Sequence, residues 1–234
     1  MGFKATLLKA IYSQVQKQVS KNGARITAAM AGDTSVYPES WTDHSTDYVR
    51  YKTLQMAARE INTHQVPGDV AELGVFQGKF AQIMSEVFPD RDFYLFDTFE
   101  GFSADQAAAD QAAGHFQGGV QSFADTSVER VLARLPHRDK AIVRKGFFPA
   151  TFVGLEDKKF AFVSLDPDLY EPVWDGLREF WPRLSPGGFI FVHDYNNKYY
   201  QGVRKAVDEF CREEHCNIVQ IPDNCGTAVF AKPY

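Results

Sequence analysis

Cysteine is scarce in this chain. Three residues, an odd number, do not make a disulfide framework, and a reduced cytoplasmic setting is the expectation. No apolar run is long enough to span a bilayer, and the N-terminus lacks the apolar core and cleavage site of a signal peptide. Positive charge is not in excess: Lys and Arg number 25 against 30 Asp and Glu, giving a net charge of −5. That argues against a nucleic-acid surface spread over the whole domain. Internal repeats are absent, and so is the Gly-x-Gly-x-x-Gly spacing of a dinucleotide turn. What is present is the composition of a globular protein, 44% hydrophobic and 24% charged, in 234 residues. That length suffices for one α/β domain with a complete core and an accessory element.

The N-terminal segment reads as helical. Leu7, Leu8, Ile11, Val15 and Val19 recur at helical spacing over Phe3 to Lys21, while Lys4, Lys9, Lys17 and Lys21 supply only positive charge. The stripe lacks the Trp and Phe anchors of an interfacial helix, so packing on its own domain or on a second copy is expected. Homo-oligomerisation through these helices follows from that reading. Met1-Gly2-Phe3-Lys4-Ala5-Thr6 matches the myristoylation pattern, one too loose to carry an assignment. A polar loop around Asn22 to Asp47 leads to a second helix, roughly Asp47 to Gln65, with Val49, Leu54, Ala57, Ala58 and Ile61 as its apolar face. Pro67-Gly68 ends it. The chain is thus divided into a helical extension or lid, 1–66, and an α/β domain, 67–234.

From Asp69 onward short apolar runs alternate with amphipathic helices. Strands are predicted at Val70–Leu73, Phe93–Phe96, Ala141–Val143, Phe160–Leu165 and Phe189–Val192. Helices are predicted at Phe80–Phe88, from Asp125 or Thr126 with Glu129 completing a capping box, at Glu171–Arg183 and at Gln201–Arg212. Such alternation implies a parallel sheet with right-handed crossovers. The last two strands, Ile218–Ile221 and Ala228–Phe230, are joined by a connection too short for a crossover and must pair antiparallel. Ser103 to Gly119, rich in Ala, Gln and Gly, reads as a loop or short helix at the carboxyl edge of the sheet, either a lid or an idle insertion.

Glu72-x-Gly74-x-x-x-Gly78 lies between a strand and a helix. Gly74 is read as letting the backbone approach a ligand, and Gly78 as letting the helix pack near the strand. A carboxylate at Glu72 opposes a pyrophosphate. Asp97 ends the next strand, where a carboxylate can accept both ribose hydroxyls. Together they favour a nucleoside cofactor without a phosphate, such as S-adenosylmethionine, over a nicotinamide dinucleotide. Further on, Asp166 and Asp168 share a face of extended chain, and the neighbouring strand ends at His193-Asp194. Clustered carboxylates repel and call for a cation or a proton. Oxygen-rich ligation suits Mg²⁺; helix capping by Asp168 and Asp194 is the alternative. A bound cation would acidify a hydroxyl, and a carboxylate could then take its proton.

These motifs, with Gly68-Asp69-Val70-Ala71-Glu72-Leu73-Gly74-Val75, Leu95-Phe96-Asp97-Thr98-Phe99-Glu100-Gly101-Phe102, Leu165-Asp166-Pro167-Asp168-Leu169-Tyr170-Glu171-Pro172, His193-Asp194-Tyr195 and Val203-Arg204-Lys205-Ala206-Val207-Asp208-Glu209-Phe210, resemble the macrocin O-methyltransferase family. The similarity runs from about Asp47 to the C-terminus. It implies a Rossmann-like class I methyltransferase fold: a mostly parallel seven-stranded sheet with a C-terminal antiparallel hairpin and an N-terminal helical extension. It also implies methyl transfer from S-adenosylmethionine to a hydroxyl, commonly of a sugar, with Mg²⁺. On that resemblance Glu72, Gly74, Gly78, Asp97 and Thr98 hold the cofactor, with Gly146 and Phe147 near the adenine. Asp166 and Asp194 bind metal, and Asp168 is the base.

The chain departs from the family pattern at His193, where a second aspartate is usual. Either His193 is a ligand, which shifts preference toward Mn²⁺ or Fe²⁺, or it faces away from Asp194 and only the latter binds. Two further readings compete with a working enzyme: a methyltransferase-like module that binds without turnover, and an NAD-dependent dehydrogenase. Cys211, His215, Cys216 and Cys225 fit no zinc spacing. Tyr195, Tyr199 and Tyr200 with Asn196 and Asn197 suit a sugar ring or ordinary packing equally.

Overall fold

The structure, a computed structural model, describes residues 47–116 and 123–234 together with the single residue Gln14. The expected basic helix over Phe3–Lys21, the loop before Asp47 and the oligomer contact assigned to the former lie outside the described residues. So do the last residues of the Ser103–Gly119 segment. The chain divides after Thr46, not after residue 66. The intervening helix, α1 (Tyr48–Thr63), belongs with the sheet because Leu54, Ala57, Ala58 and Ile61 are buried there. Its buried stripe also corrects one expected position: Val49 is exposed at 36%, and Arg50 takes the inward place.

Seven strands form one sheet: β1 (Asp69–Leu73), β2 (Phe93–Asp97), β3 (Ala141–Lys145), β4 (Phe160–Leu165), β5 (Leu184–Val192), β6 (Val219–Ile221) and β7 (Thr227–Ala231). Their order is β3-β2-β1-β4-β5-β7-β6, parallel through β5 and antiparallel for β7 and β6. Between the strands come α2 (Lys79–Val87), α3 (Ala104–Ala112), α4 (Val128–Arg134), α5 (Tyr170–Phe180) and α6 (Gln201–Glu213).

Alternate residues of the central strands serve opposite layers, as period-two geometry requires. Ala71, Leu73, Val163, Leu165, Ile190 and Val192 share a core with Val173 and Leu177 of α5 and Val203 and Val207 of α6. Residues one step out of phase face the other way: Phe162 packs 5.6 Å from Phe88 and 4.8 Å from Phe191, ring centre to ring centre.

Three elements differ from their expected form. β5 starts at Leu184, so Pro186-Gly187-Gly188 lies within the strand, where pairing with β4 jumps from Phe160–Leu184 to Phe162–Phe189. Gly187 holds this irregularity at φ +80, with its N–H on the Lys232 carbonyl at 2.9 Å. α4 is capped by Ser127, which accepts from the Arg130 amide at 3.2 Å, one residue later than the expected box. Thr126 is otherwise engaged, donating to the Phe76 carbonyl. Ala104–Ala112 is a docked helix, because buried Asp110 accepts from the Tyr170 amide at 2.9 Å. It thereby caps α5, whose own N-cap, Leu169, offers no side-chain bond.

Phe162 is fully buried between Phe88 and Phe191. Phe162→Ala should cost about 3–5 kcal/mol of unfolding free energy in urea titration; a loss under 1 kcal/mol would contradict this account of the second layer.

Candidate functional site

Register brings the polar residues together. Leu73 pairs with Leu165, and Leu165 with Val192, so β1, β4 and β5 end level. The ladder runs one residue past each strand: the Asp166 amide bonds to the Leu73 carbonyl at 2.8 Å and the His193 amide to the Leu165 carbonyl at 2.9 Å. Asp166 and His193 therefore leave adjacent strands side by side.

The turn after β1 serves mainly the protein's own backbone. At Gly74, φ +86, a Cβ would lie 2.3 Å from the Asp166 carbonyl oxygen; the close approach is to the end of β4. At Gly78, φ +73, a Cβ would meet the Val131 side chain at 3.0 Å, so this glycine admits α4 where a strand contact was expected. Asp97 holds the turn: Oδ2 accepts from Val75 and Phe76 at 2.7 and 2.8 Å, and Oδ1 from Phe99 at 2.6 Å. A carboxylate offers about four acceptor positions. Three are used by the backbone amides of the turn. The Thr98 hydroxyl donates to Gly101 at 2.7 Å and accepts from Glu100 at 3.1 Å, bracing its own loop. Gly146 bonds through its amide to the Asp97 carbonyl at 3.0 Å, and Phe147 beside it is 54% exposed, an aromatic face at the carboxyl end of β3.

The charged centre lies across β1, β4 and β5. Arg50, from the first turn of α1, donates to Asp166 Oδ2 at 3.0 Å and reaches Ser164 Oγ at 3.5 Å, with its guanidinium 4.0 Å over the Phe80 ring. His193 Nδ1 is 3.1 Å from Asp166 Oδ1 and 3.2 Å from Asp194 Oδ2, and Nε2 is 3.0 Å from the Asn224 carbonyl. His193 and Asp194 thus share one site; they do not face opposite ways. Asn197 Nδ2 donates to Asp194 Oδ1 at 2.7 Å.

Burial works against ionised Asp166, but His193 and Arg50 hold its carboxyl below the usual range. Asp194 follows the same pattern through His193 and Asp168. Asp168 goes the other way: burial and then the charge of Asp194 push it well above the carboxylate range. Glu72 is raised by burial against the opposing pull of Arg50. Its Oε2 is buried and has no partner, in a residue 1% exposed.

These atoms fit two absent groups. Asp166, His193 and Asp194 each present a donor atom within 4.8 Å of the others, the one such cluster among the described residues. A six-coordinate ion with ligands near 2.1 Å spaces adjacent donors about 3 Å apart, which the 3.1 and 3.2 Å separations match. The orphaned Glu72 oxygen fits a cationic group on a ligand. A pyrophosphate would sit against Glu72 and Asp97.

Sequence reasoning missed Arg50, Asp47 and Asn224 as parts of the site. One signal existed: positions 50, 54, 57, 58 and 61 make an uninterrupted helical stripe whose first member is charged. In the loop after β5, Tyr195 donates to Asp208 at 2.6 Å and Asn196 accepts from Arg204 at 2.8 Å, both packing roles, while Tyr199 stays 50% exposed.

Strand order and strand-end acids together define a Rossmann-like fold with a carboxylate-rich carboxyl edge. The family model of macrocin O-methyltransferases matches residues 4–230, and the chain belongs to that family. It is 33% identical over 156 residues to 8-demethyl-8-(2,3-dimethoxy-alpha-L-rhamnosyl)-tetracenomycin-C 4'-O-methyltransferase of Streptomyces olivaceus, covering 62% of this chain and 60% of that one. It is 28% identical over 171 residues to demethyldecarbamoylnovobiocin O-methyltransferase of Streptomyces niveus, covering 69% and 64%. The chain therefore spans less than two thirds of the length of either relative. The solved structure of the O-methyltransferase NovP shares the fold, with a TM-score of 0.64, 22% identity and coverage of 79% of this chain and 80% of that one. Among the described residues no helix is long and apolar enough to cross a membrane.

Burial and Arg50 press His193 toward neutrality, yet Asp166 and Asp194 outweigh both and raise it to about 10 from 6.5. A histidine raised in this way stabilises the fold most below its unfolded pKa and loses that contribution as pH rises through its folded one. In ion-free protein, the stability advantage of wild type over His193→Gln should therefore shrink between pH 6.5 and 10. Urea titration across that range checks it, and a constant difference would refute the assignment.

Proposed function

We propose that this protein is an S-adenosylmethionine-dependent O-methyltransferase that uses a divalent ion and acts on a hydroxyl of a sugar or sugar-bearing metabolite. One observation carries the reading: Glu72, with its buried unpartnered oxygen, and the Asp166–His193–Asp194 donor cluster both interact with one buried cation, Arg50. A cationic cofactor suits the first and a divalent ion the second. The relatives, named as O-methyltransferases of a rhamnosyl-tetracenomycin and of a novobiocin precursor, support the acceptor class.

Glu72 would face the positive end of the cofactor, Asp97 one ribose hydroxyl, and exposed Phe147 the adenine. Asp166, His193 and Asp194 would hold the ion, with Mg²⁺ favoured by the two carboxylates and Mn²⁺ or Fe²⁺ by the imidazole. When bound, the donor supplies an electrophilic methyl group and the ion acidifies a hydroxyl held beside it. Asp168 takes the hydroxyl proton. Its raised carboxyl pKa matches that task better than an exposed carboxylate would, since a base works best near the operating pH. Positioning two reactants in one site supplies much of the remaining rate.

Asp168→Asn keeps a side chain that tolerates the left-handed backbone found there, φ +62. It should lower methyl transfer to glycosides or nucleotide-sugars by about 10²–10⁴-fold, measured with labelled methyl donor, and leave S-adenosylhomocysteine affinity nearly unchanged. Substantial retained activity removes the assigned base. Calorimetry should show binding of S-adenosylhomocysteine and none of NADH; the reverse makes the protein a dehydrogenase, and cofactor binding without any turnover makes it a binding module.

A further inference from the structure

We propose that the first turn of α1 is the outer support of the ion site, with Asp47 fixing His193 through Asn224 while Arg50 fixes Asp166; this rests on the ion reading above. Asp47 has two oxygens with separate tasks. Oδ1 caps α1, accepting from the Val49 amide at 3.1 Å and the Arg50 amide at 3.2 Å. Oδ2 accepts the amide of Asn224, in the turn between β6 and β7. The carbonyl of that same Asn224 stands 3.0 Å from His193 Nε2.

A carbonyl only accepts, so Nε2 must carry the hydrogen in a neutral imidazole. Nδ1 is then the nitrogen with a free lone pair, and it is the one facing Asp166 and Asp194. Arg50, on the same helical turn, occupies Asp166 Oδ2 and leaves Oδ1 beside His193 Nδ1. In the ion-free protein, with both imidazole nitrogens protonated, hydrogen bonds close a ring: Asp47, Asn224, His193, Asp166, Arg50, and back to Asp47 through the Arg50 amide.

The Asn224 turn is fixed from its other side as well. Thr227 Oγ1 donates to Asp223 Oδ2 at 2.6 Å, and the Tyr195 and Asn196 amides bond to the Gly226 and Cys225 carbonyls at 3.0 and 2.9 Å. A ligand imidazole is commonly oriented by a carbonyl on its second nitrogen, and losing such support typically costs ~10–100-fold in metal affinity. Asp47 makes no contact with the ion in this scheme and acts by positioning.

Asp47→Ser separates its two tasks, because serine caps a helix about as well as aspartate but offers one oxygen and a shorter reach. By isothermal titration of the full chain with Mn²⁺, Asp47→Ser should bind ~10–100-fold more weakly than wild type, with S-adenosylhomocysteine affinity and thermal midpoint nearly unchanged. With Mg²⁺ bound, ¹⁵N-histidine NMR should show a slowly exchanging Nε2–H of His193 in wild type, assigned by its absence in His193→Asn. That signal should exchange away in Asp47→Ser. Should the serine variant fail to fold, Asp47→Asn, which keeps the cap oxygen and turns an amide N–H toward Asn224, must show the same loss. Variants that are folded, bind Mn²⁺ as wild type does and retain the protected signal overturn the proposal. No Mn²⁺ binding by wild type overturns the ion reading itself.

Discussion

The ion pair of Arg50 with Asp166, buried at the guanidinium and partly buried at the carboxylate, is the contact on which the rest of the site depends. Burying two charges costs several kcal/mol each, and their attraction offsets this only with good geometry and further hydrogen bonds. These conditions are met in part: Arg50 adds the Phe80 ring and a long contact to Ser164, and Asp166 adds His193, while Arg50 Nε is buried without a hydrogen-bond partner. Apolar replacements of equal volume would often be as stable, so stability alone does not explain the pair. What it provides is a fixed positive charge among Glu72, Asp166 and Asp194, acids that would otherwise repel one another. It also ties α1 to the end of β4, which makes that helix part of the site and not a detached cover.

Around this pair the acids separate into two kinds. Asp166 and Asp194, in contact with His193, are held ionised; Asp168 and Glu72, facing burial with less compensation, are pushed toward their protonated forms. Neighbouring carboxyls with opposite displacements suit divided roles, which supports the proposal that Asp166 and Asp194 hold an ion while Asp168 accepts a proton. Glu72 differs from Asp168 in having a buried oxygen without a hydrogen-bond partner, which is the basis for proposing that it faces a ligand's charge while Asp168 takes the proton.

The strand-and-helix order was readable from periodicity, because β1 and β4 are short, mostly apolar runs and α5 and α6 carry clear stripes. Acids at strand ends were readable for the same reason: a parallel sheet delivers successive carboxyl termini to one edge. The bonds that engage those acids were not. Asp97 spends three acceptor positions on backbone amides, and Gly74 is demanded by the Asp166 carbonyl, facts that depend on how two turns meet across the sheet. Arg50 was hidden for a different reason. A helical stripe tolerates a shift of one residue in its phase, so Val49 could stand in for Arg50 until tertiary packing chose between them. Asp47 and Asn224 lie 177 residues apart, and no local pattern links them.

Backbone strain marks the same place independently of charge. Asp168 and Asp194 both lie at φ +62, a region that L-residues other than glycine seldom enter, and they sit just beyond neighbouring strands. Such conformations cost on the order of 1–3 kcal/mol each and persist only where the surroundings over-determine them. The restraints are visible. Asn197 donates to Asp194 through both its amide and its side chain, and Tyr195 is tied to Gly226. Beyond Asp168, the Leu169 amide is bonded to the Pro167 carbonyl and the Tyr170 amide to Asp110 of α3. Glycine would relieve the strain at either position and would also remove the carboxyl group. The docked helix after β2 therefore has a task in the site whatever else it does: by capping α5 at Tyr170 it holds the strained turn that presents Asp168 beside Asp194.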